Sequence, residues 1–203
     1  AVGNKKIVTG GFKEGYWGAL DSQNHIIPNV AELPFDAGEV SGLEKGTVFG
    51  GILKANSKQS KFVLSIRASD VFEIYRVSDD GINRVYVSPF KHIPKTWKKG
   101  RGHAIDYNQS IGGIKNIAVS DDLICFSLFL QNYNEAAKTD FASNELFCFD
   151  WDGNKVKKYV LPFPIGNFCI DGTHIYGVRN FEDKIIIYRI IIFTKWEQQK
   201  KTD

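Results

Sequence analysis

The sequence predicts an all-β protein built from four-stranded antiparallel units that repeat along the chain. The clearest observation is a β-hairpin at residues 147–161, where two alternating apolar runs flank the turn Asp150-Trp151-Asp152-Gly153-Asn154. Gly and Asn tolerate the positive φ that such a turn needs. A weaker copy of the hairpin occupies residues 70–87, around Asp79-Asp80-Gly81. In addition, 13% of the residues are aromatic and Val and Ile are frequent, which favours strands.

The first unit is predicted over residues 1–35. Residues 6–12 and 16–20 have strand-like patterns, and residues 25–30 return the chain as a third strand. Pro28 cannot donate a ladder hydrogen bond, so we expect this third strand at the edge of its sheet.

The remaining units are predicted at residues 47–90, 111–162 and 165–193. Three long segments with little strand pattern separate or interrupt the units, at residues 34–46, 91–110 and 131–143. The final residues, 194–203, are polar and are predicted to form a frayed C-terminal tail or a short helix.

Four strands per repeat, with repeats spaced roughly 45 to 65 residues apart and almost no helix pattern, are typical of β-propeller blades. A β-sandwich is the alternative, but it would not repeat the same turn at the same place in each unit. We therefore predict a β-propeller with about four blades visible in this chain. Propeller geometry then places the three long segments at one end, where we expect a ligand or a partner to bind.

Charge and hydropathy exclude two classes of partner. The formal net charge is +3, which gives no reason to expect nucleic acid or a membrane surface. The longest apolar run, residues 185–193, is interrupted by Arg189 and is too short to span a bilayer, so we expect no membrane-spanning segment. The chain begins at Ala1 and contains no Met, which suggests a processed or truncated chain.

The three cysteines, Cys125, Cys148 and Cys169, each lie in an apolar strand-like run. An odd number without a spaced framework favours free buried thiols over one disulfide with one cysteine left over. Their spacing does not match a zinc site, and it leaves the cellular compartment open.

One basic cluster is a candidate ligand site, at residues 91–103. Trp97 could stack on a sugar ring, Arg101 could clamp a phosphate, sulfate or carboxylate with two hydrogen bonds, and His103 lies beside them. The alternative is a solvated loop between blades. His103 could also form an orienting pair with Asp106.

No catalytic residue, metal ligand or cofactor site is predicted. The four histidines are dispersed and show no pattern of a nucleophile with its base. The Asp150-x-Asp152-Gly153-Asn154 segment superficially resembles a calcium loop, but it lacks the later bidentate Glu. We interpret it as a turn.

Several stretches resemble the TolB-like six-bladed propeller proteins that are common in Bacteroides and related gut bacteria. The resemblance covers roughly residues 47–190 and is carried by Gly51-Ile52-Leu53, Asp70-Val71-Phe72, Ile117-Ala118-Val119, Phe147-Cys148-Phe149 and Ile165-Gly166-Asn167. It implies six blades, export and, in many members, a lipoprotein anchor, whereas only about four blades are visible here. Either two blades precede Ala1 or the ring closes differently.

We therefore expect a non-catalytic binding or protein-interaction scaffold of the bacterial cell envelope. The resemblance implies a periplasmic or outer-membrane-associated location, with lipid anchoring through an absent N-terminus as one route. The expected partner is an unknown envelope protein or a glycan. Two alternatives stay open: a propeller that binds a carbohydrate or an anionic ligand, and a propeller hydrolase or lyase.

Overall fold

The structure is a computed structural model that describes residues 2–3, 5–10, 12, 15–58, 60–171, 174–181 and 184–191. The predicted tail at 194–203 lies outside these residues. The elements run in the order β1 (Lys6–Thr9), β2 (Trp17–Leu20), β3 (Ile26–Ala31), α1 (Gly42–Phe49), β4 (Gly50–Ala55), β5 (Lys61–Ile66), β6 (Phe72–Ser78), β7 (Gly81–Val87), β8 (Thr96–Lys99), β9 (Gly102–Ile105), β10 (Ile111–Val119), β11 (Ile124–Asn132), α2 (Tyr133–Ala137), β12 (Ser143–Phe149), β13 (Lys155–Ile165), β14 (Asn167–Asp171), β15 (His174–Phe181) and β16 (Lys184–Ile191).

Apart from one small hairpin, the described strands form four antiparallel sheets in succession, which confirms the all-β propeller prediction. Strands that are adjacent in sequence pair with each other, giving β1-β2-β3, β4-β5-β6-β7, β10-β11-β12-β13 and β14-β15-β16. We call these sheets blades one to four. The edge position of β3 agrees with the expectation from Pro28. The pair β8-β9 forms a small separate sheet between blades two and three.

Apolar side chains fill the space between consecutive blades. Trp17 of blade one packs edge to face on Tyr75 of blade two, with ring centroids 4.8 Å apart. Phe72 of blade two lies 5.0 Å from Phe126 of blade three. The first strand of blade three, β10, contacts the first strands of both neighbouring blades, β4 and β14. The blades therefore pack face to face, with their first strands nearest to the axis.

The short turns gather at one end of the blades, which we call the short-turn end. Here Ser57 donates a hydrogen bond to Asp121, and Lys61 Nζ lies 2.7 Å from Asp152 Oδ1. The indole Nε1 of Trp151 donates to the Ser120 carbonyl at 3.0 Å. The first two contacts join blade two to blade three, and the third holds the β12-β13 turn against the β10-β11 turn within blade three.

The Asp150–Asn154 segment is a turn, as predicted. The carboxylate of Asp150 accepts hydrogen bonds from the backbone N–H groups of Asp152 and Asn154, each at 2.9 Å. Gly153 has a φ of 88°, which a residue with a side chain rarely adopts. The Asp150 oxygens are thus engaged by the turn itself, which explains the carboxylate spacing without a calcium ion.

The structure is nearly all-β, as predicted, but two of the long segments contain short helices that the sequence analysis did not foresee. Helix α1 lies largely within 34–46, and Ser41 and Glu44 form a capping box at its start. Helix α2 occupies part of 131–143. Gly42 and Gly46 lower the helix propensity of α1, and α2 is only five residues long, so neither gives a clear helical pattern. No helix among the described residues is long and apolar enough to cross a membrane.

The segment 91–110 is also more regular than expected, because it contains the β8-β9 hairpin.

The expectation of three free buried thiols is wrong. Cys125 and Cys148 form a disulfide, and Cys169 is exposed. The two bonded cysteines lie directly opposite each other on the neighbouring strands β11 and β12. Their proximity depends on strand pairing, which a sequence separation of 23 residues does not reveal.

Candidate functional site

The second of the three long connections contacts both the first and the third, at the end opposite to the short turns. We call this the elaborated end and define it by residues 32–49, 88–110 and 133–142. The backbone N–H of His103 donates to Glu44 Oε1 at 2.8 Å, which joins the second segment to the first. The side chain of Asn134, in the third segment, donates to Asn108 Oδ1 at 2.8 Å. The three segments therefore form one continuous surface.

The β8-β9 hairpin determines where the predicted site residues point. Trp97 lies opposite Ala104, and Lys98 lies opposite His103. Opposite residues share a face of a two-stranded sheet and neighbouring residues alternate. The side chains of Trp97 and His103 are therefore on opposite faces of the hairpin, and Trp97 is 50% exposed. Arg101 is exposed at the turn between the strands.

His103 contacts α1 rather than the predicted partner Asp106. Its Nδ1 lies 3.4 Å from Glu44 Oε2. Hydrogen bonds from Ser41, followed by the backbone N–H of His103, lower the pKa of Glu44 to about 2. Asp106 instead accepts from the backbone of Asn108 and the side chain of Gln109. The His103–Glu44 contact therefore fastens the hairpin to α1, and the His103–Asp106 pair is not formed.

A second histidine is held in a similar way at the start of the long link. The carboxylate of Asp70 accepts hydrogen bonds from the backbone N–H groups of Lys91 and His92 and lies 3.0 Å from His92 Nδ1. Asp70 thereby fixes the direction in which residues 88–110 leave blade two. The described residues contain no cluster of three or more His, Cys, Asp or Glu side chains suited to a metal ion.

Comparison with known proteins identifies the family. The model of the family described as TolB-like 6-blade propeller-like matches residues 7–173. The chain belongs to this TolB-like family. The described residues of this TolB-like protein contain four blade-like sheets, whereas the family is described with six blades.

Among solved structures, the TolB-like chain is similar to the β-propeller domain of Myceliophteria thermophila Cps50 (Swd1). The two share 12% sequence identity with a TM-score of 0.46, and the match covers 89% of this chain. The chain spans about half of the length of that structure, 51%. No curated protein matches the sequence.

Sequence reasoning missed two basic residues near the propeller axis, Arg67 and Lys115. Arg67 follows β5 and forms an isolated antiparallel bridge with Gly113 of β10, while Lys115 lies two residues further along. The available signal was Gly112-Gly113 at the start of an otherwise apolar strand, because Gly inside a strand often marks a bulge.

Sequence reasoning also missed a buried carboxylate between blades one and two. Glu73 of β6 is 0% exposed and accepts hydrogen bonds from the hydroxyls of Tyr16 and Tyr75, the latter at 3.0 Å. Arg84 Nη1 lies 2.7 Å from Glu73 Oε1 and also donates to the Glu32 carbonyl. This polar network joins the first blade to the second.

Burial dominates the titration of this network. Burial raises the pKa of Glu73 to about 7, although the Arg84 guanidinium and the Tyr75 hydroxyl act in the opposite direction. Burial, with the nearby Glu73 charge, also raises the pKa of Tyr75. A carboxyl with such a shift is a functional candidate in general. Here Glu73 lies inside a blade interface and accepts hydrogen bonds from both blades, which indicates a structural role.

Proposed function

We propose that this TolB-like chain is a non-catalytic scaffold of the bacterial cell envelope that binds a partner protein through its elaborated end. The observation that supports this most directly is the contact among residues 32–49, 88–110 and 133–142. These segments are not required for strand pairing within the blades, yet the middle segment packs on both of the others, so that the three form a single surface.

Exposed apolar side chains on the same segments support a protein partner. Leu43 of α1 is 65% exposed, Ile93 is 40% exposed and Trp97 is 50% exposed. Trp in particular is enriched among the residues that contribute most to binding free energy. A partner that covers these side chains would gain from removing them from water.

The disulfide supports the proposed location. Disulfides persist in oxidising compartments such as the bacterial periplasm and are rare in the reducing cytosol. The Cys125–Cys148 bond is therefore compatible with an exported protein, in the periplasm or associated with the outer membrane.

The test is a crosslinking pull-down from envelope fractions with tagged full-length chains. One variant replaces residues 96–105 by a short Gly-Ser link, and a second carries Trp97→Ala. The control carries Asp79→Asn and Asp80→Asn, which alter an exposed turn at the short-turn end. We expect one partner to be recovered with the wild type and the control, but not with the hairpin variant. Equal recovery with all chains would contradict the proposal.

A second candidate is a carbohydrate or anionic ligand bound by Trp97 and Arg101. The exposure of Trp97 on one face of the hairpin supports it, because an accessible indole can stack on a sugar ring. His103 would act here only by fixing the hairpin on Glu44. A glycan array tests this candidate, and binding should be lost in Trp97→Ala and in Arg101→Ala. The control Lys138→Ala should retain binding, because Lys138 lies at the C-terminal end of α2 and pairs with Glu135.

A further inference from the structure

Two cationic side chains lie close together near the propeller axis. Backbone pairing of Arg67 with Gly113 brings Arg67 next to the start of β10, two residues from Lys115. Strand β10 is the first strand of blade three and contacts both β4 and β14. Neither Arg67 nor Lys115 takes part in any ion pair among the described residues.

A β-bulge directs Lys115 away from the regular pattern of its strand. The register passes from Ile114 opposite Leu128 to Asn116 opposite Ser127, so Lys115 is the extra residue. A bulge re-aims a side chain and is common beside functional sites. Lys115 Nζ lies 3.2 Å from the Tyr133 hydroxyl and 3.9 Å from the centroid of the Phe141 ring.

The electrostatic surroundings of Lys115 favour an anion. Its side chain is half-buried, and burial, followed by the positive charge of Arg67, lowers the pKa of Lys115. The rings of Tyr133 and Phe141 offset part of the cost through cation–π contacts. No carboxylate among the described residues forms an ion pair with either cation.

Most of the N–H groups of the Arg67 guanidinium make no hydrogen bond among the described residues and can donate to such an anion. Among the described residues its guanidinium makes one long hydrogen bond, from Nη1 to the Thr47 carbonyl at 3.4 Å. The guanidinium has five N–H groups in a planar fork that matches a carboxylate or a sulfate. Arg67 is exposed, so a ligand can reach it from solvent.

We propose that Arg67 and Lys115 bind the carboxylate or sulfate group of an acidic saccharide at the axis, on the elaborated end. The Tyr133 hydroxyl, already beside Lys115, supplies a third donor. Tyr107 packs on Tyr133 with centroids 4.1 Å apart, and these rings offer an apolar surface for the sugar. The site is separate from Trp97 and Arg101 and does not depend on a protein partner.

The test measures the thermal midpoint (Tm) of the full chain with sodium glucuronate, glucose or sodium sulfate, with sodium chloride keeping the ionic strength equal. Glucose and glucuronate differ only at C6, which is a hydroxymethyl group in glucose and a carboxylate in glucuronate. At about ten times Kd, glucuronate should raise Tm by about 3 °C, and glucose should not. Arg67→Gln and Lys115→Met should abolish the rise. Lys157→Met is the matched control and should keep it, since Lys157 Nζ lies 4.8 Å from the centroid of the Tyr159 ring in another part of the fold.

Each outcome is informative. A rise with sulfate as large as with glucuronate supports the site and shows that the charged group suffices. No rise with either anion overturns the proposal, as does a rise that Arg67→Gln retains. If Lys115→Met fails to fold, Arg67→Gln decides, because Arg67 is exposed. A rise that is lost in Arg101→Ala but kept in Arg67→Gln would assign binding to the hairpin and leave the second candidate function in place.

Discussion

Replacing Glu73 by Gln should remove a specific part of the pH dependence of stability. Burial raises the pKa of Glu73 from 4.5 to about 7. Between these values the folded chain holds a proton at Glu73 that the unfolded chain has released. The stabilisation is therefore fully present below pH 4.5 and is lost as the pH rises through about 7.

The size of the effect follows from the shift. A difference of about 2.5 pKa units, at about 1.36 kcal/mol per unit, gives about 3 kcal/mol of stability lost between pH 4.5 and pH 8. Gln has nearly the same shape and carries no charge. Its carbonyl can accept from Arg84, and its amide can donate to the hydroxyls of Tyr16 and Tyr75, which now accept.

Urea unfolding followed by tryptophan fluorescence at pH 5, 6, 7 and 8 measures the free energy of unfolding of each chain. The free energy of unfolding of Glu73→Gln minus that of the wild type should rise by about 2 to 3 kcal/mol from pH 5 to pH 8. Titrations common to both chains cancel in this difference. The control is Glu145→Gln, because Glu145 is 41% exposed and pairs with Lys158. Its free energy of unfolding should change with pH in the same way as that of the wild type.

If the free energies of unfolding of Glu73→Gln and wild type differ by the same amount at every pH, the raised pKa of Glu73 is refuted. A difference that falls with pH would show instead that Arg84 and the two tyrosine hydroxyls hold Glu73 as a carboxylate with a lowered pKa.

Three further predictions concern the disulfide, one turn and the exposed indole. Cys148→Ala, or reducing agent added to the wild type, should lower the free energy of unfolding by about 3 kcal/mol, because the disulfide no longer closes a loop of 23 residues in the unfolded chain. An unchanged urea midpoint would contradict the presence of the disulfide. Gly153→Ala should lower the free energy of unfolding by about 2 kcal/mol or more, because the added Cβ would meet the Tyr86 ring and the residue has a φ of 88°. Gly100→Ala is the control: its φ is 63° but the space around it is open, so the loss should be about 1 kcal/mol. Equal losses in urea unfolding would refute the contact with Tyr86. Trp97→Ala should change the free energy of unfolding by less than about 0.5 kcal/mol while weakening partner capture tenfold or more; the reverse pattern would show that Trp97 acts in folding.

Much of the architecture was predictable because its determinants are local. A hairpin such as β12-β13 needs only alternating side chains and turn residues, and both can be seen in a window of fifteen residues. The same holds for β6-β7 and for the edge position of β3. The helices were not predictable in this way, because α1 contains two glycines and depends on a single capping box for its start.

The candidate sites were only partly predictable. The sequence indicated that 91–103 is basic and contains a tryptophan, but the strand register decided that Trp97 and His103 point to opposite faces. Likewise, the polar Glu73 in an apolar strand gave no indication that Tyr16, far away in sequence, would donate to it.

The sequence by itself determined the strands, their turns and their repetition, because these depend on interactions between residues close along the chain. Only the tertiary structure decided that Cys125 bonds Cys148, that Glu73 is buried between two blades and that Arg67 lies beside Lys115. Each of these depends on which strand edges and sheet faces meet, and the free energy of that choice comes from the packing of whole blades rather than from any local pattern.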